Sequence, residues 1–209
     1  MSDNFEEMRA DPEQFWEARY RAASLQTSGR PGTALRRFAE PLTPGHALEL
    51  GCGKGDDAVW LARQGWSVTA VEISRTALDY VAANAERAGV SDRITLEQHD
   101  LSRSFPEGQF DLVTASFLAA LPREPVFRRA AAAVVSGGHL LIIDHGSRTP
   151  WSSAPADWKF STAEDTLANL QLQEAELAPI HVGAIERNAT GPNGETAIVT
   201  DNVIFLKRL

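Results

Sequence analysis

From His46 onward, short apolar runs alternate with stretches whose apolar positions recur at helical spacing. The runs Ala47–Leu50, Ser67–Glu72, Ile94–Gln98, Phe110–Ser116 and His139–Asp144 have strand length, and the segments between them predict helices over Asp56–Gln64, Ser74–Gly89 and Glu124–Val135. In the second helix Leu78, Val81, Ala82 and Ala85 form one apolar stripe, and Ser74 stands at its start as an N-cap. Gly65, Gly89 and the pair Gly137–Gly138 read as C-terminal stops. Alternation of this kind predicts an α/β, doubly wound, mostly parallel sheet with helices on both faces. Upstream, Asp11, Pro12 and Glu13 signal a helix to about Ser24, a loop covers Gln26–Pro31, and a short helix covers Ala34–Glu40. Downstream, Arg148–Phe160 is aperiodic, with Pro150, Pro155, Trp151 and Trp158, and reads as a loop. Ser161 or Thr162 then caps a helix through Leu170, and Leu177–Ala189 and Ala197–Leu206 flank Thr190-Gly191-Pro192-Asn193-Gly194 as a terminal antiparallel hairpin.

Composition narrows the possible functions. A chain of 209 residues without an interior linker is expected to form a single domain, with residues 1–45 as an N-terminal helical cap on a core of 46–209. The net charge of −8 argues against a nucleic-acid partner, because phosphate binding rests on Lys and Arg. The one cysteine, Cys52, excludes an internal disulfide, and the acidic start carries no leader-like apolar run, so the expected location is cytoplasmic. No run approaches membrane-spanning length, so no membrane partner is expected.

The chemistry concentrates at the ends of the first four strands. Glu49-Leu50-Gly51-Cys52-Gly53-Lys54-Gly55 leaves a strand and opens a helix, where glycines permit tight turning and close approach to a ligand. A dinucleotide loop spaces its glycines G-x-G-x-x-G; here the third comes one residue early, and Glu49, Asp56 and Asp57 disfavour a pyrophosphate. Those charges suit a ligand bearing an ammonium and a sulfonium. Glu72, followed by Ile73, ends the second strand about twenty residues past the glycines, where a carboxylate accepts ribose hydroxyls. Asp100, followed by Leu101, is placed to accept from an adenine amino group, and Ser116 and Phe117 end the fourth strand beside the expected transfer position. His145, at the end of the fifth strand, is a candidate general base, while Trp16, Tyr20 and Trp151 are candidates for the acceptor wall. Cys52 is a packed residue of the turn rather than a nucleophile, and the scattered histidines have no metal-ligand spacing.

In order and spacing these segments resemble the motif series of class I S-adenosylmethionine-dependent methyltransferases, which implies a Rossmann-like, seven-stranded sheet. The resemblance implies S-adenosylmethionine as cofactor, with Glu49, Gly51, Cys52, Gly53, Glu72, Ile73, Asp100, Leu101, Ser116 and Phe117 around it. More narrowly, Phe15-Trp16-Glu17-Ala18-Arg19-Tyr20, Ser28-Gly29-Arg30-Pro31 and Ala189-Thr190-Gly191-Pro192 resemble the tellurite-resistance and thiopurine-methyltransferase-like branch, which implies a small-molecule acceptor. Two departures are Thr27 where members often carry tryptophan and Lys54 where they often carry an acid. The rival readings are a cofactor-binding sensor without chemistry and a nicotinamide-dependent oxidoreductase, the latter with the wrong glycine spacing. A nucleic-acid methyltransferase is disfavoured by charge and by Ser116-Phe117 where an amide-and-proline motif is expected.

Overall fold

The apolar run behind Pro44 and Gly45 becomes β1 (His46–Leu50), an interior strand from which the sheet grows outward on both sides. In chain order the elements are α1 (Ser2–Ala10), α2 (Pro12–Arg21), α3 (Thr33–Ala39), β1, α4 (Asp56–Arg63), β2 (Ser67–Glu72), α5 (Arg75–Ala88), a 3-10 turn (Ser91–Arg93), β3 (Ile94–Gln98), β4 (Phe110–Ser116), α6 (Arg123–Ala132), β5 (Val134–His145), α7 (Ala163–Leu170), β6 (Leu177–Thr190) and β7 (Thr196–Arg208). The structure, a computed structural model, describes residues 2–25, 27–119, 122–152, 157–172 and 176–209; Gln26 and Pro155, assigned to loops from sequence, lie outside them. Among the described residues no helix is long and apolar enough to cross a membrane.

The sheet order is β3-β2-β1-β4-β5-β7-β6. The first five of these strands run parallel, and β7 pairs antiparallel with both β5 and β6. The chain builds β2 and β3 to one side of β1 and then crosses to β4 on the other, so the strand order reverses beside β1, where a crevice opens at the carboxyl ends of the strands. The pleat sends alternate residues to opposite faces. Ala47, Leu112, Leu141 and Val203 meet Leu35, Leu61 and Val81 of α3, α4 and α5, while Leu48, Val113, Leu140 and Ile142 meet Val126, Phe127 and Leu170 of α6 and α7. By the same alternation Glu49 shares the α4 face with Ala47.

Local chemistry explains most of the boundaries. The Asp11 carboxylate accepts from the Gln14 N–H at the start of α2, Ser74 from Ala77 at α5, and Thr162 from Asp165 at α7. Three sequence expectations need correction. α1 was not anticipated, because Ser2–Ala10 is polar and of its described side chains only Met8 is buried. Ala82 is exposed, and the buried side chain beside Val81 and Ala85 is Asn84, which donates to the Lys54 carbonyl. Finally, α6 stops at Ala132 and Val134 already pairs with Phe110, so Gly137 and Gly138 lie within β5 at a register shift rather than capping a helix. A Cβ on Gly138 would sit 3.0 Å from the Asp111 and Val135 carbonyl oxygens.

Candidate functional site

The loop after β1 is built on left-handed glycines, with φ of +72° at Gly51, +55° at Gly53 and +84° at Gly55. The N–H groups of Gly51 and Cys52 both donate to the Val71 carbonyl, at 2.8 and 2.9 Å, tying the loop to the end of β2. Side chains crowd it closely. A Cβ on Gly51 would lie 2.6 Å from Leu118 Cδ1, and one on Gly53 would lie 3.2 Å from the Tyr20 hydroxyl. Asp56 and Asp57 in the first turn of α4 complement its dipole, but their oxygens are engaged. Asp56 accepts from the Ser28 and Gly29 N–H groups and the Ser28 hydroxyl; Asp57 accepts from the Gly32 N–H and the Ser116 hydroxyl. They fasten residues 28–32 to the sheet edge instead of facing an open site.

Beneath the loop, negative charge is buried without a cation. Glu49 is 3% exposed, and neither its Oε2 nor the hydroxyl of Thr114, its register partner on β4, has a hydrogen-bond partner among the described residues. Burial, and then Asp57 and Glu72, push the Glu49 carboxyl well above the usual carboxylate range. Glu72 is also raised by burial, against the pull of three backbone donors, Ile73 at 2.8 Å, Gly53 at 3.1 Å and Ser74 at 3.3 Å. A carboxylate has about four lone-pair sites, so Glu72 retains room for one strong ligand hydrogen bond rather than the two expected from sequence. Burial also raises the Cys52 thiol well above its normal range, consistent with a packed, unreactive group.

Above these groups lies a cavity of about 490 Å³ at the crevice beside β1, a volume typical of small-molecule sites. Gly51, Glu72, Ile73, Asp100, Leu101 and Phe117 line it from the sheet side, and Trp16 and Tyr20 line it from α2. The fold thus brings eight of the residues singled out from sequence into one lining. Glu49, Cys52, Gly53 and Ser116 stand outside the lining, and Ser116 is turned to Asp57 on the α4 face. Asp100 is partly engaged, accepting from the Ser102 N–H and hydroxyl and pairing with Arg103 at 3.3 Å. The lining residues missed from sequence are Met8, Arg9 and Pro12 of the roof, His99, and Leu118, Ala119, Pro122, Arg123 and Glu124 after β4. Leu118 belongs to the strand end that the sequence places beside the transfer position; the α1 residues carried no apolar period to reveal them.

Two candidates require correction. His145 does not line the cavity: its ring stacks on Phe117, centroids 4.3 Å apart, so Phe117 stands between it and the cavity. Trp151 is half-buried and outside the lining as well. Phe117 has the left-handed φ of +54°, rare for an aromatic residue, and Arg187 reaches over its ring at 5.8 Å. Arg187 in turn pairs with the buried Asp201 at 2.6 Å, and Asp201 is the register partner of His145. Burial lowers the His145 pKa below its ordinary value, favouring the neutral imidazole. Arg123, at the cavity's end, pairs with Asp144.

Comparison with known proteins agrees with this architecture. Residues 47–138 match the model of the methyltransferase domain family. Methyltransferase GfsG of Streptomyces halstedii is 32% identical over 108 residues, 49% of this chain and 39% of that protein, so the chain spans well under two thirds of that relative. A structure solved for the conversion of a disulfide bond into a thioacetal group during echinomycin biosynthesis superposes with a TM-score of 0.71 at 21% identity, covering 94% of this chain and 91% of its own. TehB from Haemophilus influenzae superposes at 0.65 with 16% identity, covering 94% of this chain and 67% of TehB. The match over residues 47–138 and the sheet topology both support a class I methyltransferase domain in that region, with S-adenosylmethionine as its cofactor.

Proposed function

We propose that the chain transfers a methyl group from S-adenosylmethionine to a heteroatom of a small-molecule acceptor, in the manner of the tellurite-resistance and thiopurine-methyltransferase-like branch. The observation that carries this reading is the pair of buried carboxyls at the glycine loop, Glu72 in the cavity lining and Glu49 outside it with an orphaned oxygen, both with raised pKa values and no cation among the groups that shift them. A ligand with an ammonium and a sulfonium supplies what they lack, so the residues present fit this cofactor. Its sulfonium, when bound, supplies an already activated methyl group. The acceptor's small size is supported by the cavity's volume and its aromatic lining of Trp16, Tyr20 and Phe117, and the net charge of −8 disfavours a polyanionic acceptor.

In this reading Glu72 holds a ribose hydroxyl, Asp100 receives an adenine amino group, and the aromatic wall excludes water and aligns the acceptor. His145 holds the Phe117 ring from behind, so a proton leaving the acceptor needs no route through the imidazole. Residues 1–45 act as the cap of a single domain, and a cytoplasmic setting completes the proposal. The test is a panel of thiols, phenols, ring nitrogens and selenium or tellurium species, read out as S-adenosylhomocysteine formed. Cofactor binding without turnover on any of them points to a sensor instead.

Two further results are expected. Glu72→Ala weakens cofactor binding by about 1–3 kcal/mol, and because it also strips three backbone N–H groups of their acceptor it lowers thermal stability; Glu72→Gln, which keeps one acceptor oxygen, falls between. Unchanged calorimetric affinity in Glu72→Ala moves the ribose site elsewhere. Binding is also expected to release protons. Glu49 and Glu72 have raised pKa values in the free protein, and a cation favours their ionised forms, so affinity falls as pH drops through those values and levels off above them. Binding enthalpies measured in buffers of different ionisation enthalpy detect the release; identical enthalpies across the acid range refute it.

A further inference from the structure

Resting on the cofactor reading above, we infer that Glu17 is a positioning residue that locks the aromatic roof of the cavity onto the turn carrying Glu72. The roof lacks the usual means of staying in place. No residue of α2 is fully buried, Phe15, Trp16 and Tyr20 being half-buried, and of the described α1 side chains only Met8 is buried, so apolar burial alone is a weaker hold here than on the core helices. Polar contacts tie α2 to the body of the protein, and most of those from the middle of the helix converge on one carboxylate. Glu17 Oε2 accepts from the Ser74 hydroxyl at 2.7 Å and the Thr76 N–H at 3.1 Å, while Oε1 accepts from the Thr76 hydroxyl at 2.6 Å and from Arg21 Nε at 3.0 Å.

The partners of Glu17 sit at a telling place. Ser74 is the N-cap of α5 and accepts from the Ala77 N–H, and its own N–H donates to Glu72, as does that of Ile73. One short turn therefore has Glu72 at one end and the docked carboxylate of Glu17 at the other. The charge also complements the α5 dipole, and the hydroxyl bonds hold the Glu17 pKa down at about 2. Trp16 and Tyr20, one residue before and three after Glu17, are the cavity-lining aromatics of α2. Other bonds assist: the Tyr80 hydroxyl reaches the carbonyls of Tyr20 and Ala23, but these anchor the end of α2 rather than its middle.

The test uses S-adenosylhomocysteine as the probe, with calorimetry for affinity, peptide-level hydrogen exchange for the roof, and thermal melting for the core. In the wild type the probe slows exchange across residues 12–21. In Glu17→Ala that protection is lost while protection of the glycine loop remains, and affinity falls roughly tenfold or more. Glu17→Gln restores part of both. Thr76→Val, which removes a donor on the α5 side and touches no cavity atom, lowers affinity by about threefold and keeps the idea testable if Glu17→Ala fails to fold. A Glu17→Ala protein that melts earlier but binds the probe with wild-type affinity and roof protection overturns the inference alone. A wild-type chain that does not bind the probe overturns the cofactor reading and this inference with it.

Discussion

Gly51→Val abolishes cofactor binding in a chain that still folds. Two independent effects combine there. At φ +72° a β-branched residue is strained, and the Gly51 N–H is fixed to the Val71 carbonyl, so the loop cannot turn away to relieve it. The new Cβ also points at Leu118 Cδ1, 2.6 Å away. Leu118 is the flexible party, but it lines the cavity, so its retreat takes space from the ligand. Together these are expected to cost on the order of 3 kcal/mol, a hundredfold or more in affinity. Calorimetry on a variant with a native circular dichroism spectrum checks the result. Adding Leu118→Ala removes the clash and leaves the strain, so the double variant recovers part of the loss; unchanged affinity in Gly51→Val removes the glycine loop from the site.

Arg187→Met is expected to lower folding stability by about 3–5 kcal/mol, because it strands a buried charge. Asp201 is 2% exposed and its Oδ1 has no partner among the described residues, while its Oδ2 accepts from Arg187 Nε at 2.6 Å. Removing the cation leaves a desolvated carboxylate, whereas removing both charges together need not hurt. The double variant Arg187→Met with Asp201→Leu is therefore expected to return toward wild-type stability, and urea titration of the four proteins of the cycle measures the coupling. A single-variant loss below about 1 kcal/mol refutes the argument. Arg187 also lies over Phe117, so acceptor kinetics are expected to suffer even where the variant remains folded.

The sequence alone determined the run of strands and the loop chemistry at their ends. Ser67–Glu72, Ile94–Gln98 and Phe110–Ser116 match the observed strands to the residue, because each is a short apolar run bounded by turn-forming or polar residues. Gly51, Glu72, Asp100 and Phe117 were legible for the same reason: a residue that ends a parallel strand is delivered to the crevice whatever the packing elsewhere. Tertiary structure decided what depends on pairing and on side. Gly137–Gly138 look alike as a helix stop and as an irregular strand, since both uses exploit the same backbone freedom; only the pairing of Val134 with Phe110 separates them. His145 ends its strand as expected, yet the pleat and the ring of Phe117 put it outside the cavity, and a strand end read from sequence does not say which face its side chain takes. Asp56 and Asp57 read as charges that shape the ligand site, but they are engaged by Ser28, Gly29 and Gly32, 25 or more residues upstream, and by Ser116 on β4. The roof and its Glu17 latch were equally hidden, because α2 is tied by polar contacts to a distant turn, and such contacts leave no periodicity along the chain.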